Sequence, residues 1–127
     1  VSKEILATTA APKAIGPYSQ AVKAGPWVFC SGQIALDAKT GEMVGEDVPT
    51  QTRQVLLNLA AVLKAAGLGF NDVVKTTVYM QDLGEFSRMN DVYAESFPTP
   101  SPARAAMQAG ALPKGALVEI DAIAYAG

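Results

Sequence analysis

Two rhythms of apolar and polar positions run along the chain. Thr52, Val55, Leu56, Leu59, Val62, Leu63 and Ala66 recur at intervals of one, three or four residues, the spacing of a helix with one buried face. Asp47 stands before this run as a capping residue, Pro49 falls in the first turn, and Gly67 follows the last apolar position. Start and stop signals therefore agree with the period. A second stripe, Phe86, Met89, Tyr93 and Phe97, predicts a helix over about 83–97. Asp82 and Glu85 resemble a capping box at its start.

The other rhythm is that of strands. Residues 3–8, 19–24, 27–34, Val73 to Met80, 103–109 and 116–125 read as extended segments, the fourth rich in β-branched side chains. Residues 10–17 and 37–47 carry the Gly, Pro and polar residues of loops. Gly25-Pro26 suggests a hairpin or bulge, and Leu112-Pro113-Lys114-Gly115 joins the last two strands as a second hairpin. The expectation is one domain over residues 1–127: an α+β fold with a mixed, largely antiparallel sheet and two helices on one face. Val118, Ile120, Ala122 and Ala124 then offer an apolar stripe to the uncovered face, a candidate subunit interface.

Composition sharpens this. Of 127 residues, 50% are hydrophobic and 17% charged, against about 25% charged in an ordinary domain. A chain this size has too much surface to hide alone, so subunit contacts are expected. The net charge of −2 and the lack of a Lys/Arg cluster argue against nucleic acid as the main partner. No segment has the length of a membrane span. One cysteine, Cys30, excludes an internal disulfide, and a reducing, cytoplasmic setting is the expectation. With no histidine, Ser-His-Asp and Cys-His machinery is excluded and a zinc site is not expected. Phosphate-binding and dinucleotide fingerprints are missing.

Arg104 is the first candidate for chemistry, a lone charge in Pro102-Ala103-Arg104-Ala105-Ala106-Met107. It reads either as a structural ion pair with Glu119 or Asp121, or as a two-point clamp on a substrate carboxylate. Glu119 and Asp121 share one face of the last strand; one acid would neutralise Arg104 while another held a water. Asn90 falls in the stripe of the second helix and needs a hydrogen-bond partner, in a structural tie or in a site. Tyr18 follows Gly16-Pro17 and walls a pocket or simply packs. Ser31-Gly32 closes a strand where backbone N–H groups can approach a ligand. Cys30, in Trp27-Val28-Phe29-Cys30, reads as a buried thiol.

Taken in order, Ala14-Ile15-Gly16-Pro17-Tyr18-Ser19-Gln20-Ala21, Ser31-Gly32-Gln33-Ile34, Val74-Lys75-Thr76-Thr77-Val78, Asn90-Asp91-Val92-Tyr93, Pro102-Ala103-Arg104 and Leu112-Pro113-Lys114-Gly115 with Val118-Glu119-Ile120 resemble the Rid (YjgF-type) family of reactive intermediate deaminases. The likeness runs from about Ile5 to Ala124. It implies a chorismate-mutase-like fold, a homotrimer with sites between subunits, and no cofactor. The implied activity is hydrolysis of 2-iminopropanoate, 2-iminobutanoate and their enamine tautomers, such as 2-aminoacrylate, to 2-keto acids and ammonia. The family's substrate-binding Arg falls on Arg104 and its water-positioning acid on Glu119. Its pocket residues fall on Tyr18, Ser31 and Asn90, with Gly32 giving a backbone contact. Many relatives have Cys where this chain has Ala106, which would leave only a backbone contact there. A trimer that senses small carboxylates is the alternative, and RNA cleavage or inhibition of translation is a third reading.

Overall fold

The sheet is built around the last strand of the chain. A computed structural model describes residues 2–127. It has strands β1 (Glu4–Leu6), β2 (Ala21–Ala24), β3 (Trp27–Gln33), β4 (Val73–Met80), β5 (Ala103–Gln108) and β6 (Val118–Tyr125), and helices α1 (Val48–Ala65) and α2 (Phe86–Ser96). The six strands lie in the order β1-β2-β3-β6-β4-β5. All pairs are antiparallel except β4 with β5. The expected α+β fold, a mixed sheet with two helices on one face, is the fold found.

Helix α1 obeys its sequence signals. The Asp47 carboxylate accepts from the Thr50 N–H at 2.8 Å. At the other end Gly67 takes φ 74°, and the N–H groups of Gly67 and Leu68 return to the carbonyls of Lys64 and Leu63, the paired bonds of a Schellman ending. Helix α2 is shorter than its stripe suggests. Asp82 caps a separate 3₁₀ turn, Leu83–Glu85, through the Gly84 N–H. Glu85 pairs with Arg88 at 3.8 Å instead of closing a capping box.

The last two strands do not form a hairpin. β6 lies between β3 and β4, whereas β5 runs parallel to β4 at the sheet edge. The physical reason is burial. Val118, Ile120, Ala122 and Ala124 are at most 2% exposed, so β6 takes the centre, where both neighbours complete its ladder. β5, whose residues are all exposed, takes the rim, and α2 supplies the crossover that parallel strands require.

That burial also corrects the expected interface. The apolar stripe of β6 faces the helices and forms the core with Val28, Val55, Leu59, Leu63 and Met89. The uncovered face instead carries Trp27, Phe29, Met107 and Tyr125, each exposed by 42–46%. Trp27 and Tyr125 are partners across β3 and β6, their rings edge to face at 4.9 Å. No helix among the described residues is long and apolar enough to cross a membrane.

Candidate active site

A β-bulge forms one half of the site. Between Cys30–Ala122 and Gln33–Ile120 the pairing of β3 with β6 shifts register, so Ser31 and Gly32 together oppose Asp121. The Ser31 N–H donates to the Gln20 carbonyl at 2.9 Å, and its hydroxyl donates to the Ser19 carbonyl at 2.6 Å. Its Oγ therefore meets a ligand as an acceptor. Gly32 has a different duty from the one its sequence context suggests. A Cβ at this position would collide with the Glu119 carboxylate. Glycine is what lets that carboxylate lie against the β3 backbone.

Glu119 is half-buried, and burial first and the Asp121 charge second hold its carboxyl above the usual carboxylate range. Asp121 in turn accepts from the Tyr79 hydroxyl at 3.2 Å. Tyr18, Ser31, Gly32 and Glu119 share a cavity of about 600 Å³ with Lys13 and Lys114, within the roughly 300–1,000 Å³ of ordinary ligand pockets. Buried amides fix its walls. Gln20 donates to the Thr8 and Pro12 carbonyls and accepts from the Thr8 N–H, pinning the loop that carries Tyr18. Asn58 of α1 donates to the carbonyls of Ile34 and Leu36.

Arg104 belongs to a second cluster. Its Nη1 donates to Asn90 Oδ1 at 2.7 Å, and the guanidinium lies 4.8 Å from the Tyr93 ring centre and 5.1 Å from that of Phe86. Tyr93 is itself held by a 2.7 Å bond between its hydroxyl and that of Thr76. Ion pairs among the described residues are Arg53–Glu95 and Arg88–Glu85, so the reading of Arg104 as partner of Glu119 or Asp121 does not hold. Arg104 is exposed on the edge strand, where solvent and two aromatic faces satisfy a charge that needs no buried counter-ion. Ala106, two residues on, shares its side of β5.

The candidate residues thus fall into two groups that one chain does not bring together. Thr76 lies beside Arg104 and Tyr79 beside Glu119. Three residues apart on one strand, these point to opposite faces. Arg104, Asn90 and Ala106 are on the helix side; Glu119 is on the other, over Gly32. The lysines, Gln20, and the rings beneath Arg104 escaped the sequence reading. Lys13, Gln20 and Lys114 lie inside the motif segments quoted above or next to them, which was the available signal. The stacking on Phe86 and Tyr93 is a contact across elements with no local signature.

Known proteins place the chain. A family model described as Endoribonuclease L-PSP matches residues 8–126. The chain belongs to this family, the YjgF/Rid family. A RutC family protein of Pyrococcus horikoshii is 56% identical over 123 residues, covering 97% of this chain and 98% of that protein. A Mus musculus Rid-family protein named 2-iminobutanoate/2-iminopropanoate deaminase is 47% identical over 127 residues, covering 100% of this chain and 94% of its own length. Among solved Rid-family structures, RidA of an Antarctic Psychrobacter superposes with TM-score 0.92 at 46% identity, over 96% of this chain and 98% of its own. Escherichia coli TdcF with bound serine gives 0.91 at 42% identity, over 98% and 99%.

Proposed function

We propose that this protein hydrolyses reactive 2-imino acids, 2-iminopropanoate and 2-iminobutanoate among them, to 2-keto acids and ammonia, in sites completed between copies of the chain. The observation that carries the reading is the pairing of two unsatisfied functions on opposite faces. Glu119 is a half-buried carboxylate at a cavity, with no ion-pair partner among the described residues. Arg104 is an oriented guanidinium with no anionic partner among the described residues. A neighbouring copy that presents its Arg104 to the Glu119 cavity supplies what each lacks. The deaminase name of the Mus musculus relative agrees with such a site.

In this scheme Arg104 clamps the substrate carboxylate, with Asn90 and the rings of Phe86 and Tyr93 fixing the plane of the guanidinium. Tyr18 and Ser31 wall the pocket, and the backbone at Gly32 and Ala106 borders it. Glu119 holds a water against the C=N carbon. As the water oxygen forms its bond to that carbon, Glu119 takes a proton from the water and passes it to the imine nitrogen. The resulting carbinolamine collapses: its hydroxyl proton passes through Glu119 to the nitrogen, the C=O bond forms, the C–N bond breaks, ammonia leaves, and Glu119 is again a carboxylate. One water is consumed, and its two hydrogens leave on nitrogen. The imine carbon is already electrophilic, so neither a covalent nucleophile nor a cofactor enters. General-base help of roughly 10²–10⁴-fold suits a reaction that also proceeds unaided.

The assembly we propose is a homotrimer. Trp27, Phe29, Met107 and Tyr125 on the open face give a copy of the chain apolar area to cover, and the count of three follows the family resemblance. Sedimentation as a stable monomer near 13.2 kDa would contradict it. The activity is tested by loss of 2-iminopropanoate in a coupled assay: native protein accelerates it and Arg104→Ala does not. Binding of a keto acid without any acceleration would instead identify a carboxylate-sensing protein.

A further inference from the structure

The cavity around Glu119 carries two lysines that a three- or four-carbon imino acid, its one carboxylate held by Arg104, leaves without a role. Its most unusual backbone is at Lys114, which sits at φ 56°, ψ 26°. Among the described residues it is the one non-glycine with positive φ. A side chain with a Cβ is disfavoured there, and Gly or Asn would hold the turn more easily. Gly115 follows at φ 68°, so consecutive left-handed residues bend the chain sharply before β6. Strained backbone of this kind gathers at ligand sites. Here it makes Pro113 and Lys114 a wall of the Glu119 cavity.

Lys13 reaches the same cavity from the loop before Tyr18. Neither lysine belongs to the ion pairs found among the described residues. Nor is either of them within ion-pair distance of Glu119. In the hydrolytic scheme the α-carboxylate belongs to Arg104 of another copy and the C=N carbon to Glu119. Two ammonium groups are then left over, on the wall of a space of about 600 Å³. Cations left over at the site suit a second anion at the far end of the substrate.

We propose that Lys114, assisted by Lys13, is a specificity-determining residue that binds a terminal carboxylate, extending the substrate class to imines of dicarboxylic amino acids. This rests on the hydrolytic reading and deepens it. The chemistry is unchanged: water adds at C2, the C–N bond breaks, ammonia leaves, and the terminal carboxylate passes through intact. Lysine suits the task because a single flexible ammonium meets chains of differing length, whereas the planar Arg104 fixes the reacting end.

The test compares 2-iminopropanoate with 2-iminoglutarate, each generated in the cuvette by an amino-acid oxidase, using the assembled protein. Native protein should hydrolyse both. In Lys114→Asn, which suits the left-handed backbone, the ratio of kcat/KM for the dicarboxylate to that for the monocarboxylate should fall about tenfold, the scale of one lost charge-assisted bond. Added salt should raise KM for the dicarboxylate more than for the monocarboxylate. If Lys114→Asn does not assemble, Lys13→Gln in the exposed loop should lower the same ratio. An unchanged ratio overturns the subsite, as does native protein that turns over only the monocarboxylate; in both cases the hydrolytic reading stands. Native protein that turns over neither imine overturns both.

Discussion

Arg104 and Glu119 point away from each other across the sheet. Arg104 lies beside Thr76 and rests on Tyr93 of α2, while Glu119 lies beside Tyr79 with its carboxylate over Gly32. A chain acting alone would have a carboxylate clamp on one side and a water-holding acid on the other. The proposed chemistry therefore requires that copies meet, and it ties catalysis to assembly.

Arg104→Lys should leave the fold intact, because the residue is exposed on an edge strand. An ammonium cannot hold the Asn90 bond, the stacking and a two-point contact together. Loss of a charge-assisted bond of about 1.5–3 kcal/mol corresponds to a fall in kcat/KM of roughly 10- to 150-fold. Steady-state kinetics beside circular dichroism check this; near-native turnover would contradict the clamp.

Gly32→Ala forces Glu119 to move, since the new methyl would occupy the place of its carboxylate. The expected result is a loss of kcat in protein that still assembles. A variant with native kcat would mean that the Glu119 position over Gly32 is not the catalytic one.

The sign of the pH dependence follows from Glu119. A general base works deprotonated, and burial and Asp121 hold this carboxyl above its ordinary value of 4.5. Burial and Asp121 raise the acid limb of kcat/KM, against the opposing pull of a neighbouring copy's Arg104, so Asp121→Asn should move it to lower pH. Glu119→Gln should cost roughly 10²-fold or more in turnover. Stability runs the other way. The native chain holds this proton at higher pH than the unfolded chain, so stability from Glu119 is lost as pH rises from 4.5 through the folded value. Glu119→Gln should raise Tm near neutral pH and show no gain below about 4, where both states are protonated. Rate–pH profiles and melting at two pH values measure both effects.

Cys30 should be inert. It is 5% exposed, and burial, with Asp121 as a lesser cause, pushes its thiol up to about 11, leaving little thiolate at neutral pH. A maleimide should not label the native protein or change its turnover. Stoichiometric labelling with inactivation of intact assembly would place the thiol in the site.

Local signals were legible in the sequence and cross-strand ones were not. The cap at Asp47 and the Schellman ending at Gly67 depend on residues a few positions apart, and both appear as read. The place of β6 depends on competition among strands for the sheet centre, which no turn motif reveals, so Leu112 to Gly115 read as a hairpin it does not form. Arg104 looked like half of an ion pair because its segment has no other charge; its neighbours are the Asn90 amide and two rings from α2. Ser31-Gly32 was visible as a candidate, but the reason for glycine lies on β6, nearly ninety positions away.

Complementation between inactive variants tests the shared site most directly. Arg104→Ala and Glu119→Gln chains, each nearly inactive alone, are unfolded together, refolded and assayed for 2-iminopropanoate hydrolysis. If each site takes Arg104 from one copy and Glu119 from another, random 1:1 assembly should restore about a quarter of native activity, because closed symmetric oligomers pair the same two surfaces at every interface. If the mixture stays at the level of the separate variants while native chains treated alike regain full activity, the site does not lie between copies.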